Sequence, residues 1–192
     1  MKPTLLTATF LAAVLTATAG DPKPVDVTIY LCGDNGAPSA VEQSARATVN
    51  WMFGKVGVRT AWRVGEPQKG AGQPSRAVVV VKFAAEAPAG VPKSALARAL
   101  PFSEDGAAIT VMYDRIRFIA GRSNREAPIL AHVLAHEIAH VLQRTNWHAQ
   151  TGVMKATWDG QDYDAMERAP LKFTTTDVEL IKAGLTILRA SR

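Results

Sequence analysis

Apolar and polar positions alternate with a period of two from Val25 to Cys32 (VDVTIYLC), the pattern of a strand, before GDNGAP breaks the run. Val41, Ala45, Val49 and Met52 then recur at helical spacing and predict an amphipathic helix over Ser39 to Phe53. Gly54 to Gly57 closes it, and Val58 to Val64 (VRTAWRV) has the look of a second strand. The glycine-, proline- and glutamine-rich stretch from Gly65 to Ser75 is expected to be a loop. Ala77 to Phe83 (AVVVVKF) is the strongest strand in the chain, apolar enough to lie in the middle of a sheet. Leu96 to Leu100 is short and fits either an edge strand or a helical turn, and Ala107 to Tyr113 (AAITVMY) predicts another strand.

The last third changes period. Leu130, Leu134, Ile138 and Val141 fall on one face of a helix that ends near Gln143. Its start has two candidates: Pro128 at the first helical position, or a capping box from Ser123 to Glu126 slightly earlier. Thr176 and Glu179 suggest a second capping box leading into a final helix with Val178, Ile181, Leu185 and Leu188 on one stripe. Strand, helix, strands and then two helices make an α/β (α+β) sandwich with a mixed sheet of four or five strands.

The first twenty residues stand outside this scheme. Lys2, the apolar run Leu5 to Val14 and the Ala17-Thr18-Ala19 site have the form of a signal peptide cleaved after Ala19. A membrane anchor would need about 20 apolar residues, and this run is shorter and rich in threonine. We therefore expect residues 20–192 to form one exported domain, secreted or periplasmic, with no stable membrane association. A single cysteine, Cys32, permits no internal disulfide, and its place at the end of an apolar run suggests a buried thiol. The formal net charge of +5 is mild. The densest basic group, Arg115, Arg117, Arg122 and Arg125, carries no interleaved aromatics, so we expect a solvated face and no nucleic-acid partner.

The chemistry concentrates in one place. All four histidines, His132, His136, His140 and His148, fall within seventeen residues. His136-Glu137-Ile138-Ala139-His140 puts two imidazoles about 40° apart on a helix and one turn apart along it, so both can meet one ion. Glu137 projects between the ligand face and the core face, where a general base would sit beside a metal-bound water. His132 lies about 12 Å along the axis from His140, too far for one ion to take all three, and is expected at the surface or behind the ligands. A catalytic zinc takes three protein ligands. His148, past the helix end, is the leading third candidate; Asp159, Asp162, Asp164 and Glu167 are its rivals, in the polar run WDGQDYDAMER, which is expected to be a solvated loop.

HEIAHVLQRTNWHAQTGVM resembles the metzincin clan of zinc peptidases, whose signature is HExxHxxGxxH followed by a methionine-containing turn. The resemblance implies a zincin-like domain with a twisted mixed sheet, an N-terminal helix, an active-site helix and a C-terminal helix. It implies one catalytic zinc on His136, His140 and His148, Glu137 as general base, and Met154 as the turn methionine beneath the metal. The chain departs from the signature at three positions. Gln143 stands at the glycine, Asn146 stands at the third histidine (which comes two residues later), and Ala156 stands where the clan has a tyrosine. A longer linker could turn back less tightly, with Asn146 in the left-handed conformation. LARALPFSEDGAAITVMYD and FTTTDVELIKAGL look like the clan's edge strand with its neighbour and its C-terminal helix.

The activity this implies is peptide-bond hydrolysis on a peptide or protein lying along Leu96 to Leu100. A fold beginning near Val25 leaves no room for an inhibitory pro-segment, so we expect a monomer active once exported, or one checked by a separate inhibitor. A non-catalytic zinc-binding or interaction domain of the same fold is the alternative from another class. Glu137 speaks against it, because a structural site needs no base. Hydrolysis of cell-wall or other amides would use the same residues.

Overall fold

The computed structural model describes residues 26–33, 36–68, 77–84, 86–100, 107–121 and 123–190. The signal-like segment, Arg122 and most of the Gly65 to Ser75 stretch lie outside the described residues. Five strands form one sheet: β1 (Val27–Cys32), β2 (Thr60–Val64), β3 (Ala77–Phe83), β4 (Ala97–Leu100) and β5 (Ala107–Val111), in the order β2-β1-β3-β5-β4. The first four neighbours pair in parallel, and β4 alone runs antiparallel, against β5. β1 and β3 hold interior places: AVVVVKF has the nearly continuous apolar run of a strand covered on both faces, while every residue of VTIYLC is buried although its pattern alternates. The short run at Leu96 to Leu100 is the edge strand.

Five helices accompany the sheet: α1 (Ser39–Lys55), α2 (Tyr113–Ala120), α3 (Ser123–Gln143), α4 (Gly160–Arg168) and α5 (Thr175–Ala190). α3 packs against α1, α5, β4 and both shorter helices. A helix with neighbours on nearly every side must be apolar nearly all round, and from Ile129 to Leu142 only Glu137 escapes full burial. Leu130, Leu134, Ile138 and Val141 join Ile29, Leu31, Phe53 and Ile109 in the core. Among the described residues, no helix is long and apolar enough to cross a membrane.

The elements differ from the sequence expectation around β5, α4 and the start of α5, and the structure decides between the two starts offered for α3. β5 stops at Val111, and Tyr113 opens α2, where its hydroxyl donates to the buried Glu126 carboxylate. α3 starts at Ser123, the earlier candidate, so Pro128 sits inside the helix; this close to the N-terminus its missing N–H deprives only the Asn124 carbonyl. The polar run expected as a loop is α4, capped by Asp159, whose carboxylate accepts from Gln161 and Asp162 N–H while Asp162 bonds back to Asp159 N–H. The cap of α5 is Thr174 with Asp177, two residues before the expected Thr176–Glu179 pair.

The three described arginines of the basic group all have partners. Arg115 donates to the carbonyls of Pro92 (2.7 Å) and Ala95 (2.6 Å), Arg117 pairs with Asp114, and Arg125 ties α3 to Asp164 and Glu167 of α4. Cys32 is a buried thiol, donating to the Gly65 carbonyl.

α5 crosses the end of α3 at Gly184, where an added Cβ would stand 1.7 Å from the Leu142 carbonyl oxygen. Gly184→Ala is expected to lower unfolding stability by about 3 kcal/mol, since the two backbones must separate to admit a methyl group. Urea unfolding measures this, and an unchanged midpoint would contradict so close a crossing.

Candidate metal centre

α3 presents His136 and His140 from its ligand-bearing face, and the chain beyond its end returns His148 to them. The ligand-type nitrogens of the three all lie within 4.8 Å of one another. Ring centroids are 4.6 Å apart for His136–His140, 4.9 Å for His140–His148 and 5.3 Å for His136–His148. Three nitrogens on a single ion would stand about 3 to 4 Å apart. His148 is the least buried of the three, so the remaining closure falls to the side chain freest to make it.

The turn that returns His148 is not made at Asn146. Arg144 holds the left-handed conformation, with φ 55°, and its N–H donates to the His140 carbonyl at 3.0 Å. This is a helix cap with a left-handed residue just past the last turn. It falls one residue after Gln143, which stands at the signature's glycine and is itself buried, reaching the Asp177 carbonyl of α5.

Past His148, Ala149 N–H donates to the Met154 carbonyl (2.8 Å), closing a turn over residues 149–155. Met154, within this turn, is fully buried in the core. Gly152 makes the turn possible: its φ is +79°, and a Cβ there would sit 2.3 Å from the Lys172 carbonyl oxygen.

Hydrogen bonds fix which imidazole nitrogens carry protons. His136 Nδ1 is 2.9 Å from the Val153 carbonyl and His140 Nδ1 is 3.0 Å from the Thr145 carbonyl. Carbonyl oxygens only accept, so both Nδ1 atoms are protonated. Burial, reinforced by His140, pushes His136 down to about 3, and burial lowers His140 as well; both rings are therefore neutral at neutral pH. A neutral imidazole has one N–H. Both Nε2 atoms therefore carry lone pairs, and they face each other at 3.0 Å with no proton between them. A cation taken by both lone pairs would relieve their repulsion. Zinc suits a set of neutral imidazoles whose outer N–H groups are held by carbonyls.

The carboxylate rivals are engaged elsewhere. Lys155 bonds Asp159 (2.9 Å) and Asp162 (2.6 Å), while Arg125 takes Asp164 and Glu167.

Glu137 lines the same cleft, a cavity of about 390 Å³ bounded on one side by β4. Its carboxylate accepts from the Ala99 N–H, but burial outweighs that bond and pushes its pKa up to about 7. Lys155, Trp158 and Tyr163 also line the cleft, and sequence reading had given none of them a place there. Trp158 packs edge-on to His136, with centroids 5.5 Å apart. The tryptophan's position in a polar run was the one available signal.

Of the two places expected for His132, the surface is excluded. His132 is fully buried, its Nδ1 donating to the Pro128 carbonyl (2.7 Å) and its Nε2 accepting from Leu171 N–H (2.9 Å). Burial lowers its pKa from 6.5 to about 4. Between those values the unfolded chain binds a proton that the folded one refuses, so stability falls as pH drops from about 6.5 to about 4. We expect His132 to account for about 3 kcal/mol of that loss in the metal-free protein. Comparing unfolding of the wild type and His132→Gln across that window isolates it, and parallel pH profiles would refute it.

No family model and no curated protein matches this chain. Among solved structures, the chain is similar to archaemetzincin from Methanopyrus kandleri, known from a crystal structure at 1.5 Å resolution. The TM-score is 0.58, over 86% of this chain and 99% of that one, at 13% sequence identity. At that identity the likeness is one of fold, and the zincin-like fold expected from the HEIAH to GVM segment is the fold observed.

Proposed function

We propose that this zincin-like chain is an exported zinc-dependent metallopeptidase with Glu137 as its general base. The observation that carries the reading is the pair of bare Nε2 atoms of His136 and His140, facing each other beside His148 and opening onto a cleft that contains a buried carboxylate. Zinc held by the three histidines would acidify a water molecule and polarise the scissile carbonyl. Glu137 takes the proton from the attacking water and passes it to the leaving amine.

The edge strand supports a peptide substrate. Met112 N–H donates to the Leu96 carbonyl, and with the register Ala97↔Val111 and Ala99↔Ile109 this turns the backbone groups of Ala97 and Ala99 away from β5. They point toward the free edge, where an extended peptide can add as a further strand. The Ala99 N–H already reaches Glu137, so the base stands where such a peptide would pass.

The reading is tested by incubating zinc-loaded protein with an unbiased peptide mixture and identifying products by mass spectrometry. Cleavage should vanish on chelation and return with zinc. A fully loaded protein that cleaves nothing would leave the non-catalytic zinc-binding reading in its place.

A further inference from the structure

His132 has no part in the site as described so far, yet a continuous run of contacts joins it to the first ligand. Its Nε2 accepts the N–H of Leu171. One residue on, the Lys172 carbonyl accepts the Val153 N–H at 3.1 Å, and the Val153 carbonyl accepts the Nδ1–H of His136. A second path runs through Trp158, whose ring meets His132 edge-on at 6.3 Å and His136 at 5.5 Å. The Trp158 indole N–H donates to the Gly152 carbonyl, 3.2 Å away, next to Val153. Both paths end on the Gly152–Val153 peptide, adjacent to the Val153 carbonyl that orients the His136 ring.

Burying a histidine whose two nitrogens are both satisfied by backbone groups is an expensive way to fill space on a core helix. The same volume could be filled by phenylalanine or leucine without the cost. What the imidazole adds is an acceptor aimed at the 171–172 stretch, which has no regular secondary structure to hold it.

We propose that His132 is a positioning residue. By fixing Leu171 and Lys172, and by seating Trp158, it holds the Val153 carbonyl in the place that keeps His136 Nδ1 protonated and Nε2 turned to the metal. The inference rests on the zinc site proposed above and adds a residue to it that touches neither the ion nor the substrate. Outer partners of metal ligands change metal affinity by about 10- to 100-fold when lost, and His132 acts on such a partner.

The test is the ranking of three variants, read as zinc affinity by competition with a chromophoric chelator. His132→Gln keeps an acceptor at the position of Nε2, His132→Asn reaches only as far as Nδ1, and His132→Phe keeps the ring but no hydrogen bond. We expect Gln to stay within about threefold of the wild type and both Asn and Phe to bind zinc at least about tenfold more weakly. The visible bands of the cobalt-substituted Phe variant should also shift, reporting an altered ligand arrangement.

A packing role predicts the opposite order, with Phe the mildest change. Phe binding as tightly as the wild type, or Gln binding no better than Phe, overturns the proposal. Should the Phe variant fail to fold, the Gln–Asn pair decides: equal affinities overturn it and a tenfold gap supports it. If the wild type itself binds neither zinc nor cobalt, the metal-site reading has failed and carries this inference down with it. That result is distinct from a wild type that binds metal and variants that bind it equally well.

Discussion

Glu137→Gln protein is expected to hold zinc as the wild type does and to lose about 10²- to 10⁴-fold in peptide hydrolysis, the usual worth of a positioned proton-transfer group. The substitution preserves size and can still take the Ala99 N–H bond through its amide oxygen, so the cleft should keep its shape. What it removes is the ability to accept a proton. In the metal-free protein burial holds the carboxyl near 7, and a dication beside it would favour the ionised form the base requires. Metal content measured together with turnover checks both halves of the prediction. Equal turnover would remove Glu137 from the chemistry, and lost zinc would make it part of the metal-holding structure.

His148→Ala should weaken zinc binding by more than about 100-fold, beyond the effect of losing an outer partner, because it takes away one of three direct donors. The comparison that gives this meaning is Asp162→Asn together with Glu167→Gln. Both carboxylates already have cationic partners, Lys155 and Arg125, so their neutral variants should bind zinc within about twofold of the wild type. Asp162→Asn should instead show itself as a loss of about 1 kcal/mol in stability, since it weakens the cap of α4. Chelator competition measures the affinities. The reverse pattern, with zinc kept by His148→Ala and lost by Asp162→Asn, would move the third ligand onto α4.

The parts of this fold that could be read from the chain are those where one physical demand acts alone. Ala77 to Phe83 needs burial on both faces, which shows as a continuous apolar run and places β3 in the middle of the sheet. His136 and His140 need one helical turn between them, and that spacing is visible wherever it occurs. The misread parts are those where one residue serves two demands. Asp159 and Asp162 look like a loop's acids or spare ligands until their carboxylates are seen to cap a helix. α2 buries only Tyr113, Ile116 and Ala120, and a single apolar stripe on an eight-residue helix is hard to tell from the tail of a strand. The sequence points to Asn146 for the left-handed residue because asparagine, after glycine, adopts that conformation most readily. The helix's own length decided, and Arg144 takes the position that the cap requires. His132 was legible as a histidine on the wrong turn for the ion, but its partners at Leu171 and Trp158 are far along the chain.

The outer hydrogen bonds of His136 and His140 both end on peptide carbonyls, at Val153 and Thr145. A carbonyl is the same group whatever side chain it belongs to. The ring orientations are therefore specified by the path of the backbone, and neither carbonyl bond asks for a particular side chain at 145 or 153. In a saturation scan scored by zinc retention, the half-buried position 145 should accept most residues that keep the local backbone, whereas Val153, fully buried in the core, should accept only apolar residues near its size. Gly152, which sets that path, should accept almost none. A site built in this way leaves a thin trace in sequence: two histidines and a glutamate on one helix, a histidine at an elastic distance, and a glycine whose importance no pattern of ligands would reveal.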